Sequence, residues 1–387
     1  MDKSKKFADW KPRDRVAHLK RRMFETADSQ RIDQRLFRLF DTAGTGPEGD
    51  GAFVVGETGV GKTTGVRLLT DRIYEELRAE DPSGKWSRPE IAGTDLRPIL
   101  HETANGFKRP IAVVLVGKNT TFNSFLGDTA DAIQVNLPVG YKFGEAQLRV
   151  NKAVKKQGIK MVIFDETQHI VEGNMNTYDA GDVFKLLIKS RVQVVCVGLT
   201  NALDLATAND QLDRLVKKKI VLEPFRCTVG DFPELDKKGN IVGDEVQEPT
   251  EFRQLMALID HRDGPDSVLP FDKASNLSAP DMALRIHQAG GGYIGRIMPL
   301  IYEAATLAIY DGSAWVTKNH FEEAYREASR CDDKDNWFKM GFSSVVERFG
   351  SIREKKLIST GIAKRQLERH MSKRSRRRVT DVIAGRD

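Results

Sequence analysis

The eight residues GETGVGKT, positions 56–63, constrain this chain more than any other stretch. Before them runs a short apolar segment, AFVVG at 52–56, and after them TTGVRLLTDRIYEEL at 63–77, whose apolar residues recur at helical spacing. A G-x-x-x-x-G-K-[ST] turn between a buried strand and a helix lets backbone N–H groups converge on one anion, and the helix N-terminus adds a favourable dipole. The expected phosphate-binding set is Gly56, Glu57, Thr58, Gly59, Val60, Gly61, Lys62, Thr63 and Thr64. Lys62 is expected to reach the β- and γ-phosphates of a nucleotide, and the Thr63 hydroxyl to bind Mg²⁺. The competing reading is a plain glycine-rich turn.

Four more apolar runs follow: IAVVLVG at 111–117, MVIF at 161–164, VQVVCVGL at 192–199 and KKIVLEPF at 218–225. Continuous apolar strands separated by helical stretches predict a parallel five-stranded sheet covered on both faces, an α/β class. From Thr250 onward the pattern is helical, as in EFRQLMALIDH and YIGRIMPLIYEAATLAIYDG, which predicts a C-terminal helical lid. The expected division is a basic helical extension at 1–45, an ATPase core at 46–226, a hairpin-like insertion at 227–249, the lid at 250–332 and a basic tail at 333–387.

The run MVIF ends in two acids, Asp165 and Glu166. In a nucleotide site of this kind, the acid closing a second buried strand holds the metal, so Asp165 joins Thr63 as a Mg²⁺ ligand. Side chains alternate along an extended strand, so Glu166 is expected to point elsewhere and to act on the attacking water as a general base. The bland alternative for Glu166 is a solvated strand-end acid. Thr200 or Asn201, after the fourth strand, is placed to sense the γ-phosphate, although Asn201 also suits a helix cap. Arg214 is expected to face a neighbouring subunit's nucleotide and Arg296 to fold over the nucleotide from the lid. Each is alternatively an ordinary surface charge.

The formal net charge is +6, and it is unevenly spread. Residues 1–22 carry nine Lys/Arg against three Asp, and residues 353–387 carry twelve against four acids, so an acidic body has two basic ends. The run SKRSRRRV at 372–379 suits a phosphate backbone or an acidic partner, or is a solvated terminus. Cys196, Cys227 and Cys331 are odd in number and far apart, so neither a disulfide framework nor a zinc site is expected. No run is long enough to span a bilayer and the first residues lack a signal-peptide core, which predicts a cytoplasmic protein without membrane contact.

GETGVGKT, VIFDE, GLTN, QLDRL and GYIGR, in this order, resemble the motifs of AAA+ ATPases. The flank FDETQHIVEGN, with Gln168 and His169, and the lid GGGYIGRIMPLIYEAATLAI are similar to the TniB/TnsC type of bacterial transposition regulator, over roughly residues 16–329. The resemblance implies an AAA+ P-loop NTPase that binds ATP and Mg²⁺ and assembles on double-stranded DNA as a helical filament or ring. It implies recruitment or activation of a transposase, and release by ATP hydrolysis. A targeting protein or an RNA-guided complex is a further implied partner. Carried over, Glu166, Asn201, Thr200 and Arg214 are the catalytic set and Arg296 closes the lid. DRLVKK departs from the Arg-Phe pair that relatives often show, which bears on Arg214.

The segment VGKNTTFNSF at 116–125 follows the second strand, on the side that faces DNA in such proteins. Lys118, Asn119 and Thr121, with Lys142 and Lys152 further on, are the expected phosphate contacts, giving affinity without sequence reading. Solvated lysines and a helix cap are the competing readings. Two other functions fit the same motifs: a helicase loader or replication initiator, and a signalling ATPase acting through protein contact alone.

Overall fold

A computed structural model describes residues 6–21, 24–104, 106–138, 140–173, 175–207, 210–226, 234–235, 241–242, 250–261 and 266–348. Its elements in chain order are α1 (Pro12–Arg21), α2 (Ala27–Asp41), β1 (Gly51–Gly56), α3 (Lys62–Glu80), β2 (Lys85–Ser87), β3 (Ile99–Thr103), β4 (Gly106–Leu115), α4 (Phe122–Ala132), α5 (Phe143–Gln157), β5 (Met161–Asp165), α6 (Gln168–Glu172), α7 (Thr177–Lys189), β6 (Gln193–Gly198), α8 (Asp204–Thr207), α9 (Asp210–Leu215) and β7 (Val216–Leu222). There follow β8 (Glu234–Leu235), β9 (Ile241–Val242), α10 (Glu251–Ile259), α11 (Pro280–Gly290), α12 (Ile294–Tyr310) and α13 (Lys318–Ser329). The chain divides into two compact units. One is Arg22–Phe225 with Tyr293–Met298; the other is Met1–Arg21, Arg226–Gly292 and Pro299–Asp387.

The first unit holds a seven-stranded sheet in the order β2-β3-β4-β5-β6-β1-β7. The five expected strands are all present and all parallel, as β4-β5-β6-β1-β7. The expected count of five is corrected by β2 and β3, which add antiparallel on the β4 side. These two carry no apolar run: β2 is KWS and β3 is ILHET, half solvated, so their pairing left no periodic signal.

Strict alternation splits the central strands between two cores. Phe53, Val55, Ala112, Val114, Val162, Phe164, Val194 and Cys196 face one cluster, which α4, α5 and α7 cover. Ala52, Val54, Ile111, Val113, Met161, Ile163, Val195 and Val197 face the other, closed by α2 and α3. Helix α2 therefore belongs to this unit and not to an N-terminal extension reaching residue 45. Its face Ile32, Leu36, Leu39 and Phe40 is part of the second core. Gly65 lets α2 approach α3, because a Cβ there would lie 2.6 Å from Ile32 Cδ1.

In the second unit, α1 is tied to the segment before α11. The Arg15 Nε and Nη2 donate to the Pro270 carbonyl at 3.0 and 2.8 Å, and the backbone N–H groups of Phe7 and Ala8 donate to Asp272. Arg285 of α11 is buried, donating to Asp281 and to the carbonyls of Trp337 and Met340. Strands β8 and β9 pair antiparallel within 227–249. Most of that segment, Cys227 and the run at 372–379 lie outside the described residues. Among the described residues, no helix is long and apolar enough to cross a membrane.

Candidate nucleotide site

Parallel strands bring their carboxyl ends to one edge, and ligands in open α/β sheets collect there. Register aligns the ends of β1, β5 and β6: Val55 of β1 lies beside Gly198 of β6, and Phe164 of β5 lies beside Cys196 of β6. The loop after β1 therefore opens next to Asp165. Gly59 and Gly61 hold φ of +87° and +97°, a left-handed backbone that side-chain-bearing residues disfavour, and α3 starts directly after Gly61. Lys62 Nζ donates to the carbonyls of Gly56 and Glu57, both at 2.9 Å. Burial pulls its pKa down, while Glu166 and Asp165 pull it up. Val60 is buried in the second core and anchors the loop, while Thr63, half-buried, opens the first turn of α3.

Asp165 is 4% exposed. Its Oδ2 accepts from the Thr94 hydroxyl at 2.6 Å and its Oδ1 from the Glu166 backbone N–H at 3.1 Å. Burial raises its pKa, and the Thr94 hydrogen bond opposes that rise. Glu166 does not diverge from Asp165 by strand alternation. The strand stops at Asp165 and Glu166 takes φ of +60°, a left-handed turn that costs an L-residue roughly 1–2 kcal/mol. The turn is held by its neighbours. Thr167 N–H and Oγ1 both donate to the Val197 carbonyl. Gln168, buried, donates from Nε2 to Glu166 Oε2 and accepts the Leu199 N–H on Oε1 at 3.1 Å. Gly198 makes room, since a Cβ there would lie 2.6 Å from Thr167 Oγ1 and 2.8 Å from Gln168 Oε1.

Thr200 and Asn201 open a short 3₁₀ turn directly after β6. Asn201 Nδ2 donates to Glu172 Oε1 at 3.1 Å, and its Oδ1 is buried without a partner. Glu172 also faces His169, at 3.4 Å. Arg296 comes to the loop as well, because Tyr293–Met298 belong to this unit. The Gly295 N–H donates to the Gly59 carbonyl at 2.7 Å, the Tyr293 hydroxyl donates to Glu57, and the Arg296 guanidinium lies 4.6 Å from the Tyr293 ring centroid. Gly295 permits this, since a Cβ would sit 2.8 Å from Gly59 Cα. Arg214 is exposed at the end of α9, just before β7.

The expected DNA residues do not form one patch. Lys118, Asn119 and Thr121 follow β4 at the same sheet edge as Asp165, and Thr121 Oγ1 caps α4 by accepting the Ser124 N–H. Lys142 adjoins them, because the rings of Phe122 and Phe143 lie 5.8 Å apart. Lys152 is ten residues further along α5, about 15 Å away.

The donor set fits a nucleotide with its metal. The loop offers glycines at left-handed backbone positions and an ammonium that donates to carbonyls. A hydroxyl and a buried carboxylate complete it. Among the described residues no cluster of three or more His, Cys, Asp or Glu could hold a metal alone. Sequence reasoning missed Thr94, Glu172, Tyr293 and Gly295, and it noted Gln168 without its contacts. Thr94 sits in an irregular loop with no periodicity to mark it.

Residues 49–205 match the model of a family described as AAA domain. No curated protein matches. Among solved structures, the chain is similar to Cdc6p from Pyrobaculum aerophilum, at 13% identity over 79% of this chain and 68% of that one, TM-score 0.48. It is also similar to the Aeropyrum pernix ORC2 protein in its ADP form, at 14% identity over 76% and 67%, TM-score 0.47. The Aeropyrum pernix ORC1 protein in complex with DNA matches at 15% identity over 78% and 65%, TM-score 0.43. At such scores these likenesses say nothing about what this chain does. The AAA domain match and the geometry of loop, sheet and acids agree on one fold: the core at 49–205 has an AAA+ P-loop fold.

Proposed function

We propose that this chain is an ATPase that assembles on double-stranded DNA in the ATP state and governs DNA transposition by recruiting or activating a transposase. The observation that carries the ATPase reading is the partly buried network Thr94–Asp165–Glu166–Gln168–Leu199 beside Lys62. It holds one carboxylate for a metal and presents a second, turned differently, toward the loop. The transposition reading rests on the sequence resemblance of the Glu166 flank and the lid.

In this mechanism Lys62 and the loop N–H groups bind the β- and γ-phosphates, and Thr63 and Asp165 would hold Mg²⁺, which would supply charge neutralisation there. Glu166 takes a proton from the attacking water. Thr200 or Asn201 hydrogen-bonds that water or the γ-phosphate. Arg296 adds positive charge from the lid side, and Arg214 supplies it to a neighbouring protomer. Lys118, Asn119, Thr121 and Lys142 contact duplex phosphates. Hydrolysis then sets how long the assembly persists.

The test uses Glu166→Gln with ATP and duplex DNA, followed by co-sedimentation and electron microscopy. The expected result is turnover reduced by about 10²–10⁴-fold with DNA-bound oligomers that outlast those of the unaltered protein. Release as fast as the unaltered protein's would remove Glu166 from the role. Assemblies that form without DNA would favour the protein-contact reading, and addition of the cognate transposase separates the transposition reading from a helicase-loading one.

A further inference from the structure

A groove of about 440 Å³ lies between the start of β4, the turn after α4 and the carboxyl-terminal half of α5. Arg149, Lys152 and Lys156 line it at helical spacing, so the three cations share one face. None of its lining residues is a carboxylate. Glu145, one turn back, pairs with Arg149 through Nε and Nη2 at 3.2 and 2.9 Å. Phe107, at the tip of the β3–β4 hairpin, borders the groove and is 52% exposed. About half of that ring stays open to solvent beside the three cations.

The floor carries a second signal. Gln157 is 9% exposed and lines the groove. Its Nε2 donates to the Ile133 carbonyl at 2.6 Å, which fixes the amide orientation, since a carbonyl accepts only from the nitrogen. The Oε1 is then left buried with no partner. That oxygen is closed to solvent in this conformation, so a ligand N–H or O–H reaches it only when the side chains of the floor shift.

From cations, an aromatic face and an unmet acceptor together, we propose that this groove binds an unpaired nucleotide. The phosphate lies against Arg149, Lys152 and Lys156, the base stacks on Phe107, and a base amino group or sugar hydroxyl serves Gln157. A basic track with an exposed ring is how single strands are held without sequence preference. Duplex DNA offers phosphates but keeps its bases stacked inside, so it leaves Phe107 without a partner. The volume falls within the range of sites for single small ligands. The proposal does not rest on the ATPase reading, since the groove shares no residue with the loop at 56–63.

The test is fluorescence anisotropy of the full chain without ATP, using a labelled oligodeoxycytidylate of about 20 nucleotides, whose bases carry an amino group, and a duplex of equal length. Phe107→Ala is expected to weaken single-strand binding about tenfold and to leave duplex binding unchanged. Lys152→Glu combined with Lys156→Glu is expected to weaken it further and to reduce the salt slope by at most about 0.7. The substituted side chains are exposed, and circular dichroism checks folding. Millimolar AMP, which lacks the phosphates Lys62 would hold, distinguishes the ligand's source: displacement of the strand assigns free nucleotide, and failure assigns the strand. The proposal is overturned if neither probe binds, if both variants bind the single strand as the unaltered protein does, or if Phe107→Ala weakens duplex binding equally.

Discussion

At the carboxyl edge of the sheet, Asp165 is buried with both oxygens partnered, and Glu166 is held in a left-handed turn by Gln168. On α5, Lys152 and Lys156 stand exposed around a groove whose buried acceptor has no partner. The first region has its charges desolvated and fixed in position, which suits chemistry on one bound group. The second keeps its charges in water, where they attract anions over a distance and position nothing closely. Two sites in one unit thus use charge in opposite ways.

Lys62→Ala gives the largest effect separating the two. Removing an ammonium paired with phosphate costs about 3 kcal/mol, on the order of 100-fold in ATP affinity, measured with a fluorescent ATP analogue. Single-strand binding in the groove should be unaffected, and a parallel loss would break the separation. Gln168→Ala comes next. It leaves the Leu199 N–H without its acceptor and Glu166 without its tether, at about 1–3 kcal/mol of stability, and turnover should fall roughly tenfold with little change in KM. Unaltered turnover in a destabilised protein would make Gln168 a structural tie alone.

The smallest effect concerns pH. Burial raises the Asp165 pKa in the folded state, so the folded protein holds this proton more tightly than the unfolded chain does. The associated stability is complete below the unfolded value, about 3.9, and is lost as pH rises through the folded value. The Thr94 hydroxyl counters the rise, so Thr94→Val should lift the pKa further. Melting temperatures without nucleotide should then decline more steeply with pH from about 4 upward than in the unaltered protein. Equal slopes would detach Thr94 from Asp165.

Much of the nucleotide site was legible because its requirements are local. A loop that turns its N–H groups to one anion needs glycine at fixed offsets, and GETGVGKT states them in eight consecutive residues. Asp165 and Glu166 were legible because charge closing an apolar strand is rare. The contacts of Thr94, 71 residues before Asp165, had no such signal. Nor did Gly295 against Gly59, where the cue is only the absence of a side chain. The grouping of Lys152 with Arg149 and Lys156 was readable from helical spacing, but its separation from Lys118 and Lys142 depended on the direction of α5.

By itself, the sequence determined the five parallel strands, their alternation between two cores, and the phosphate loop, because each follows from residue order over a few positions. Only the tertiary structure decided the antiparallel strands β2 and β3, the left-handed turn at Glu166 with its Gln168 tether, the seating of Tyr293 and Gly295 on the loop, and the groove beside Phe107. Those depend on residues far apart in the chain meeting at one place. Which distant partners meet is set by packing of the whole unit and leaves no period in the sequence to read.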